Sequence, residues 1–331
     1  QNYNRLDRLK SNCICDIMKL LYISPTFSGT GGIGPHAFRV AKKLGENGFD
    51  VELMDVPHIP IKNLKNPSFS ILGSLKALSY TKTYDAVHAW NLPSAFIMKQ
   101  IKSKKKILSV HGIYSDQVNM LHSKVASSLV NFGENRVLDW ADTLTTDSKA
   151  VQLAYKEKLG KTFEYLPAPL DPDKFKEIPE VKKADNQIVY VGRDSYEKGI
   201  DILQSIESKI NGKVVYCTNL DWKEAMVKLK ESSLLVVPSR MESIPQVIKE
   251  AFYLKVPVIA TNVGGNPELV THQETGILVP PEDPEKLTIA INNLLDNEET
   301  GRNFANNAFE FINNNFSWDV LLEKYTNLYE S

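Results

Sequence analysis

Two glutamates with seven residues between them, Glu242 and Glu250, stand in the stretch 236–268, VVPSRMESIPQVIKEAFYLKVPVIATNVGGNPE. A carboxylate accepts hydrogen bonds at two oxygens and so suits the paired hydroxyls of a ribose or a hexose. Pro245 opens a helix between the two, leaving Glu242 in the preceding loop and Glu250 about a turn and a half inside, so the pair can face one ligand at different depths. An apolar strand, Leu234 to Val237, stops at Pro238, and a second, Val256 to Ala260, runs into Gly264 and Gly265. Strand, loop, helix, strand and loop in that order aim two sets of free backbone N–H groups at one crevice, where an anion binds. A lone glutamate on a surface helix is the plainer reading of either residue. The spacing and the flanking turns argue against it.

Cations stand near by. In VGRDSYEKGIDIL, Arg193 and Lys198 lie on a loop between strand Ile188 to Val191 and helix Gly199 to Lys209. Two cations so spaced can clamp a pyrophosphate, the arginine as a planar fork and the lysine as a point charge. A surface ion pair of Arg193 with Asp194 or Glu197 is the alternative. Near the start of the chain, Gly29-Thr30-Gly31-Gly32-Ile33-Gly34 matches G-x-G-x-x-G, with Asp55 closing the second strand. Alone, that motif suggests NAD. Ser24 to Ser28 intervene between strand and first glycine, however, whereas a dinucleotide turn follows its strand almost at once. His111 ends a strand in SVHGIY and so faces the crevice at the carboxyl edge of a parallel sheet, unless it is a satisfied core histidine. His88 and Asn91 end the neighbouring strand and are placed on the acceptor side. Ser148, in TDSKAV, serves there or as a helix N-cap.

Taken together these residues resemble the retaining GT-B glycosyltransferases, glycosyltransferase family 4 in particular, whose signature is Glu, seven residues, Glu. Pro238, Ser239, Glu242, Glu250, Gly264, Gly265 and Glu268 fall in register with that family's pattern. The resemblance implies that Glu250 holds the ribose of a nucleotide-diphosphate sugar, while Glu242 and the Gly264-Gly265 turn hold the sugar. It implies further that Arg193 and Lys198 stabilise the leaving diphosphate, that His111 sits by the transferred sugar, and that the loop with Gly31 and Gly32 approaches the donor phosphate and the acceptor. Pro245 stands where the family often has glycine. It lacks an N–H, so phosphate contacts fall to Ile244, Gln246 or Val247. Between Cys217 and Ser232 there are 14 residues, where family members commonly have a longer stretch bearing part of the base pocket. The base is therefore not readable.

The elements that must position this set alternate strand and helix from Met18 onward, which reads as α/β with doubly wound parallel sheets. The expected organisation is an upstream extension at 1–17, an N-terminal Rossmann-like acceptor domain at 18–168, a Pro-rich linker at 169–186 and a C-terminal donor-nucleotide domain at 187–312. A last helix at 313–331 would, by resemblance, pack back on the first domain. Expected helices include Ser94 to Lys102, with a strand at Ile107 to Val110.

With 331 residues, 42% hydrophobic and 24% charged, the chain has the composition of a soluble two-domain protein without an 18-residue apolar run. Three cysteines give no disulfide framework, and a cytoplasmic setting is expected. Residues 18–168 hold 19 Lys and Arg against 12 Asp and Glu, net +7, whereas 169–331 hold 17 against 26, net −9. The basic half suits an anionic membrane surface or a phosphate-bearing acceptor, through Lys99, Lys102, Lys104, Lys105 and Lys106, unless that run is a solvated helix end. No nucleic-acid partner is expected. Neither cleft loop holds a D-x-D, since Asp171-Pro172-Asp173 lies in the linker, which fits a metal-free site with no cofactor beyond the donor. The expected activity is transfer of a hexose from a UDP- or GDP-linked sugar to a hydroxyl of a glycan, lipid-linked or small acceptor. A nucleotide-sugar 2-epimerase, a non-catalytic sugar-nucleotide-binding protein and, more distantly, a dehydrogenase are the rival readings.

Overall fold

The computed structural model describes residues 17–28, 32–56, 59, 61, 65–112 and 133–330. The expected site residue Gly31 and nearly all of the expected upstream extension lie outside them.

Two parallel sheets carry the chain. The first orders six strands β2-β1-β3-β4-β5-β6: β1 (Lys19–Ile23), β2 (Asp50–Met54), β3 (Tyr84–Ala89), β4 (Ser103–Ser109), β5 (Thr143–Thr146) and β6 (Glu164–Tyr165). The second orders five, β11-β10-β9-β7-β8: β7 (Gln187–Val191), β8 (Lys213–Cys217), β9 (Leu234–Val237), β10 (Val258–Thr261) and β11 (Ile277–Val279). Parallel strands covered on both faces are apolar throughout rather than alternating. LLVV of β9 and VIAT of β10 show this, every residue being buried. Successive side chains go to opposite faces: Leu21 and Ile23 join one core, Leu20 and Tyr22 the other.

Helices α1 (Ile33–Glu46), α2 (Lys65–Ala77), α3 (Leu92–Met98) and α4 (Lys149–Leu159) accompany the first sheet. The second has α5 (Ile200–Ile206), α6 (Trp222–Glu231), α7 (Gln246–Tyr253), the short α8 (Asn266–Leu269), α9 (Pro284–Leu295) and α10 (Glu298–Phe316). Strand order reverses between β1 and β3 in one sheet and between β7 and β9 in the other. Ligand crevices open outside the carboxyl ends of strands at such switch points, and the loops after those four strands carry Gly32, Asn91, Arg193 and Ile244.

The last helix, α11 (Trp318–Glu330), crosses to the first domain, where Leu321, Tyr325, Leu328 and Tyr329 share a core with Leu20, Tyr22, Val40 and Trp90. Tyr329 Oη lies 2.5 Å from Tyr22 Oη and 2.6 Å from His88 Nδ1. The helix begins at Trp318, because residues through Phe316 complete α10 and Ser317 between them is extended (φ −75°, ψ 157°). The end of the first domain and the start of the linker are tied from the second domain: Lys249 Nζ donates to the Ala168 carbonyl at 2.9 Å, and the Leu170 N–H to the Phe316 carbonyl at 2.7 Å.

The lysine run differs from expectation. The helix expected to reach Lys102 ends at Met98, and Lys104, Lys105 and Lys106 belong to β4. Tertiary partners permit this: Lys104 pairs with Asp85 at 2.7 Å, Lys105 Nζ donates to the Leu328 carbonyl at 2.8 Å, and Lys106 Nζ to the Lys99 carbonyl at 3.1 Å. The last two cap the carboxyl ends of helices, where free carbonyls attract cations. Among the described residues no helix is long and apolar enough to cross a membrane.

Candidate functional site

A cavity of about 440 Å³ separates the two domains. Gly32 and Ile33 at the start of α1, then His36, Arg39, His111 and Asp147, line it from the first domain. Arg193, Thr218, Trp222, Ile244, Gln246 and Glu250 line it from the second. Of the residues singled out in the sequence, it gathers Gly32, His111, Arg193, Ile244, Gln246 and Glu250.

Glu250 rides on α7, whose opposite face buries Ile248, Ala251 and Phe252. Trp222, the first residue of α6, donates its indole N–H to Glu250 Oε1 at 2.7 Å. Burial raises the pKa of this carboxyl, with Trp222, Lys174, Lys249 and Arg39 pulling the other way. Arg39 and Lys174 also line the cavity, and Lys174 Nζ stands 5.2 Å over the Trp222 ring. Burial lowers the pKa of both cations. A carboxylate with one oxygen pinned by an indole keeps its other oxygen for ligand hydroxyls, and the two cations oppose the upward shift that burial gives it.

Beside it, the loop before α7 is built on backbone contacts that leave no room for side chains. A Cβ on Gly264 (φ +49°) would meet the Glu242 carbonyl oxygen at 1.8 Å, and one on Gly265 would meet that of Ser243 at 1.8 Å. The Gly-Gly turn is therefore pressed beneath Glu242 and does not line the cavity. Glu242 accepts from Lys198 Nζ at 2.7 Å and Ser239 Oγ at 2.8 Å, so the structure joins two expected site residues to each other. Arg193 makes the alternative contact, an ion pair with Glu197 at 3.1 Å, with its side chain 73% exposed at the cavity mouth. Pro245 is the N-cap of α7 and offers no side-chain bond, which leaves the first amides of the helix, Gln246 and Val247, to external acceptors. Val247 packs partly against the core.

On the first-domain side, His111 Nδ1 lies 3.2 Å from Asp147 Oδ2, and both side chains are nearly buried. Burial opposes ionisation of Asp147, but the charge and hydrogen bond of His111, with Lys249, hold its pKa below the usual value. The Trp90 ring lies parallel to His111, centroids 6.1 Å apart, and backs it. His36, also on the cavity wall, is kept neutral by burial and by the neighbouring His111, Arg39 and Lys249.

The three residues expected on the acceptor side lie in different surroundings. His88 is fully buried, with Nδ1 on Tyr329 and Nε2 2.6 Å from Ser109 Oγ, so both nitrogens are taken inside the core. Ser148 is likewise buried, caps α4 and donates to Glu268 at 2.7 Å. Asn91 caps α3 through a 2.9 Å bond from the Ser94 N–H, and also lines a second cavity of about 180 Å³ that shares Ile33 and His111 with the first. Arg39, His36, Asp147, Lys174 and Trp222 went unnoticed in the sequence. Asp147, next to Ser148, and Trp222, in the shortened segment, offered a faint signal; Arg39 and Lys174 offered none. Among the described residues no three His, Cys, Asp or Glu side chains could hold a metal ion.

Residues 174–297 match the family model described as glycosyl transferases group 1. An uncharacterized glycosyltransferase of Methanocaldococcus jannaschii is 22% identical, over 91% of this chain and 94% of its own length. Among solved structures, sucrose-phosphate synthase from Thermosynechococcus elongatus superposes with a TM-score of 0.80 at 19% identity, covering 95% of this chain and 98% of that one. Anabaena HepE in complex with UDP-glucose gives 0.70 at 15% identity, covering 94% and 99%. With GT-B structures matching nearly end to end and a full-length relative named for the activity, the chain is a glycosyltransferase of the GT-B fold whose second domain is similar to the group 1 glycosyl transferases.

Proposed function

We propose that the protein is a retaining glycosyltransferase of family 4 that moves a hexose from a UDP- or GDP-linked sugar to a hydroxyl of a glycan, lipid-linked or small acceptor, without a metal. The observation that carries this reading is Glu250, held by Trp222 on the wall of an interdomain cavity and flanked by the open amides of α7. Glu250 takes the ribose hydroxyls. The α7 amides, Lys198 and Arg193 receive the diphosphate, which needs Lys198 to turn from Glu242 and Arg193 from Glu197. His111, backed by Trp90 and bonded to Asp147, faces the sugar, and the small cavity beyond it, with Asn91, admits the acceptor. The acceptor hydroxyl attacks the anomeric carbon on the face the diphosphate leaves, and a phosphate oxygen takes its proton. Preorganised donors around a departing anion are worth about 10² to 10³ in rate for each one lost. The UDP-glucose bound to the similarly folded HepE supports a uridine donor. We place the reaction in the cytoplasm, and the net +7 of residues 18–168 (19 against 12) supports work at an anionic membrane face.

Thermal unfolding with UDP, GDP and ADP, their hexose conjugates and NAD tests this reading. A donor at about a hundred times its dissociation constant adds about 2.7 kcal/mol and raises the midpoint by a few degrees. A shift with one sugar nucleotide and none with NAD is expected; a shift with NAD alone would overturn it.

A further inference from the structure

One carboxylate spans the two domains. Glu268, on α8 of the second domain, accepts from Ser148 Oγ at 2.7 Å, from the Lys149 N–H at 2.8 Å and from the Ala150 N–H at 2.9 Å. The last two are orphan donors in the first turn of α4, in the first domain. An anion there meets both unpaired N–H groups and the positive end of the helix dipole. α4 already has a cap of its own, Ser148 Oγ accepting from the Val151 N–H at 3.3 Å. The helix did not need a second one from a residue 120 positions away.

What the contact adds is a connection. On one side, Glu268 follows the Gly264-Gly265 turn, which is pressed onto the backbone of Glu242 and Ser243 immediately before α7. On the other, Ser148 follows Asp147, whose carboxylate holds His111. A short path therefore runs from the loop before α7, through Gly265, Glu268, Ser148 and Asp147, to the histidine on the opposite cavity wall.

We infer that Glu268 is a positioning residue that sets the second-domain loop bearing Glu242 in register with His111 of the first domain. This rests on the proposed transfer reaction, in which a donor held by the second domain must be presented to His111. Its carboxylate touches no reacting atom. It acts by fixing the approach of the two walls, and a misplacement near 1 Å costs on the order of 10²-fold in rate.

The test compares the full chain with Glu268→Ala and Glu268→Gln. Measured are turnover with the sugar nucleotide identified by thermal shift, binding of the matching nucleoside diphosphate, the unfolding midpoint, and the interdomain distance distribution. Spin labels at the exposed positions Leu153 and Ile289 report the last, in a chain carrying Cys13→Ser and Cys15→Ser. Glu268→Ala should lower kcat about 10- to 100-fold, leave nucleoside diphosphate binding within about twofold, since Glu250, Lys198 and Arg193 all lie on the second domain away from Glu268's contacts, and broaden the distance distribution. Glu268→Gln, which keeps an accepting oxygen, should fall between. Wild-type kcat and an unchanged distance distribution in Glu268→Ala would overturn the inference. So would a kcat loss matched by equal loss of nucleotide binding, which would put Glu268 in the donor site. If no sugar nucleotide is turned over by the wild type, the transfer reading fails, while the label distances still decide whether Glu268 holds the domains in register.

Discussion

Lys198 Nζ lies 2.7 Å from Glu242 Oε1, closing the loop after β7 onto the loop before α7. The carboxylate is 7% exposed and the lysine 23%, and Ser239 adds a second donor to the same oxygen. In the proposed reaction Lys198 is held by an acid that it must partly release when a diphosphate arrives. Lys198→Ala should lower kcat by about 10² to 10³ and cost about 1 to 3 kcal/mol of stability by leaving Glu242 short of a partner. Steady-state kinetics and the urea midpoint check the two effects separately.

His36 and His88 are buried, and burial first, with neighbouring positive groups, pushes both pKa values well below the ordinary 6.5. The unfolded chain therefore binds protons below about pH 6.5 that the fold refuses, so stability is full above that value and falls as the pH drops below it. Each histidine contributes a slope of up to about 1.4 kcal/mol per pH unit there. Urea unfolding of wild type and His88→Asn between pH 5 and 7.5 should show the shallower slope in the variant.

Lys249 is fully buried, and burial brings its pKa down to about 8 despite Asp147 and Glu250 near by. Between that value and 10.5 the unfolded chain holds more proton, so this lysine contributes a stability that rises with pH across the window. Lys249→Met should destabilise at pH 7 by about 1 to 3 kcal/mol, since it leaves the Ala168 carbonyl without its donor and takes a cation from beside Asp147 and Glu250, and should flatten the rise between pH 8 and 10. Unfolding midpoints over that range decide it.

How legible the molecule was in the sequence depended on how far away each partner lies. The stretch 236–268 could be read because prolines and glycines punctuate short apolar strands. α7 begins one residue after Pro245, and Gly264 stands at a positive φ that favours glycine. Lys104 to Lys106 could not be read as strand, because what admits them is Asp85 and two helix ends, one of them 223 residues off. His88 looked like a strand-end ligand because its partner Tyr329 is 241 residues away. Glu268 was in register with a known pattern, yet its contacts belong to the other domain. Arg39 lies in an ordinary amphipathic helix, and only the fold turns it toward Glu250.

Gly264→Ala places a methyl 1.8 Å from the Glu242 carbonyl at a left-handed backbone position. The loop must move. Stability should fall by more than about 1 kcal/mol, and turnover should fall with it, because the displaced residue is Glu242. Calorimetric unfolding and donor turnover test this together.

The central claim is that Glu250 holds the ribose of a nucleoside diphosphate donor. The most direct test is calorimetric binding of the nucleoside diphosphate chosen by thermal shift and of its 2′-deoxy and 3′-deoxy forms, to wild type and to Glu250→Ala. A hydroxyl bonded to a carboxylate is worth about 1.5 to 3 kcal/mol. The wild type should therefore lose about 10- to 150-fold in affinity when a ribose hydroxyl is removed, and Glu250→Ala, weakened to a similar degree with the intact nucleotide, should not distinguish the deoxy forms from it. Equal discrimination by both proteins, or binding by Glu250→Ala within about twofold of wild type, would contradict the account.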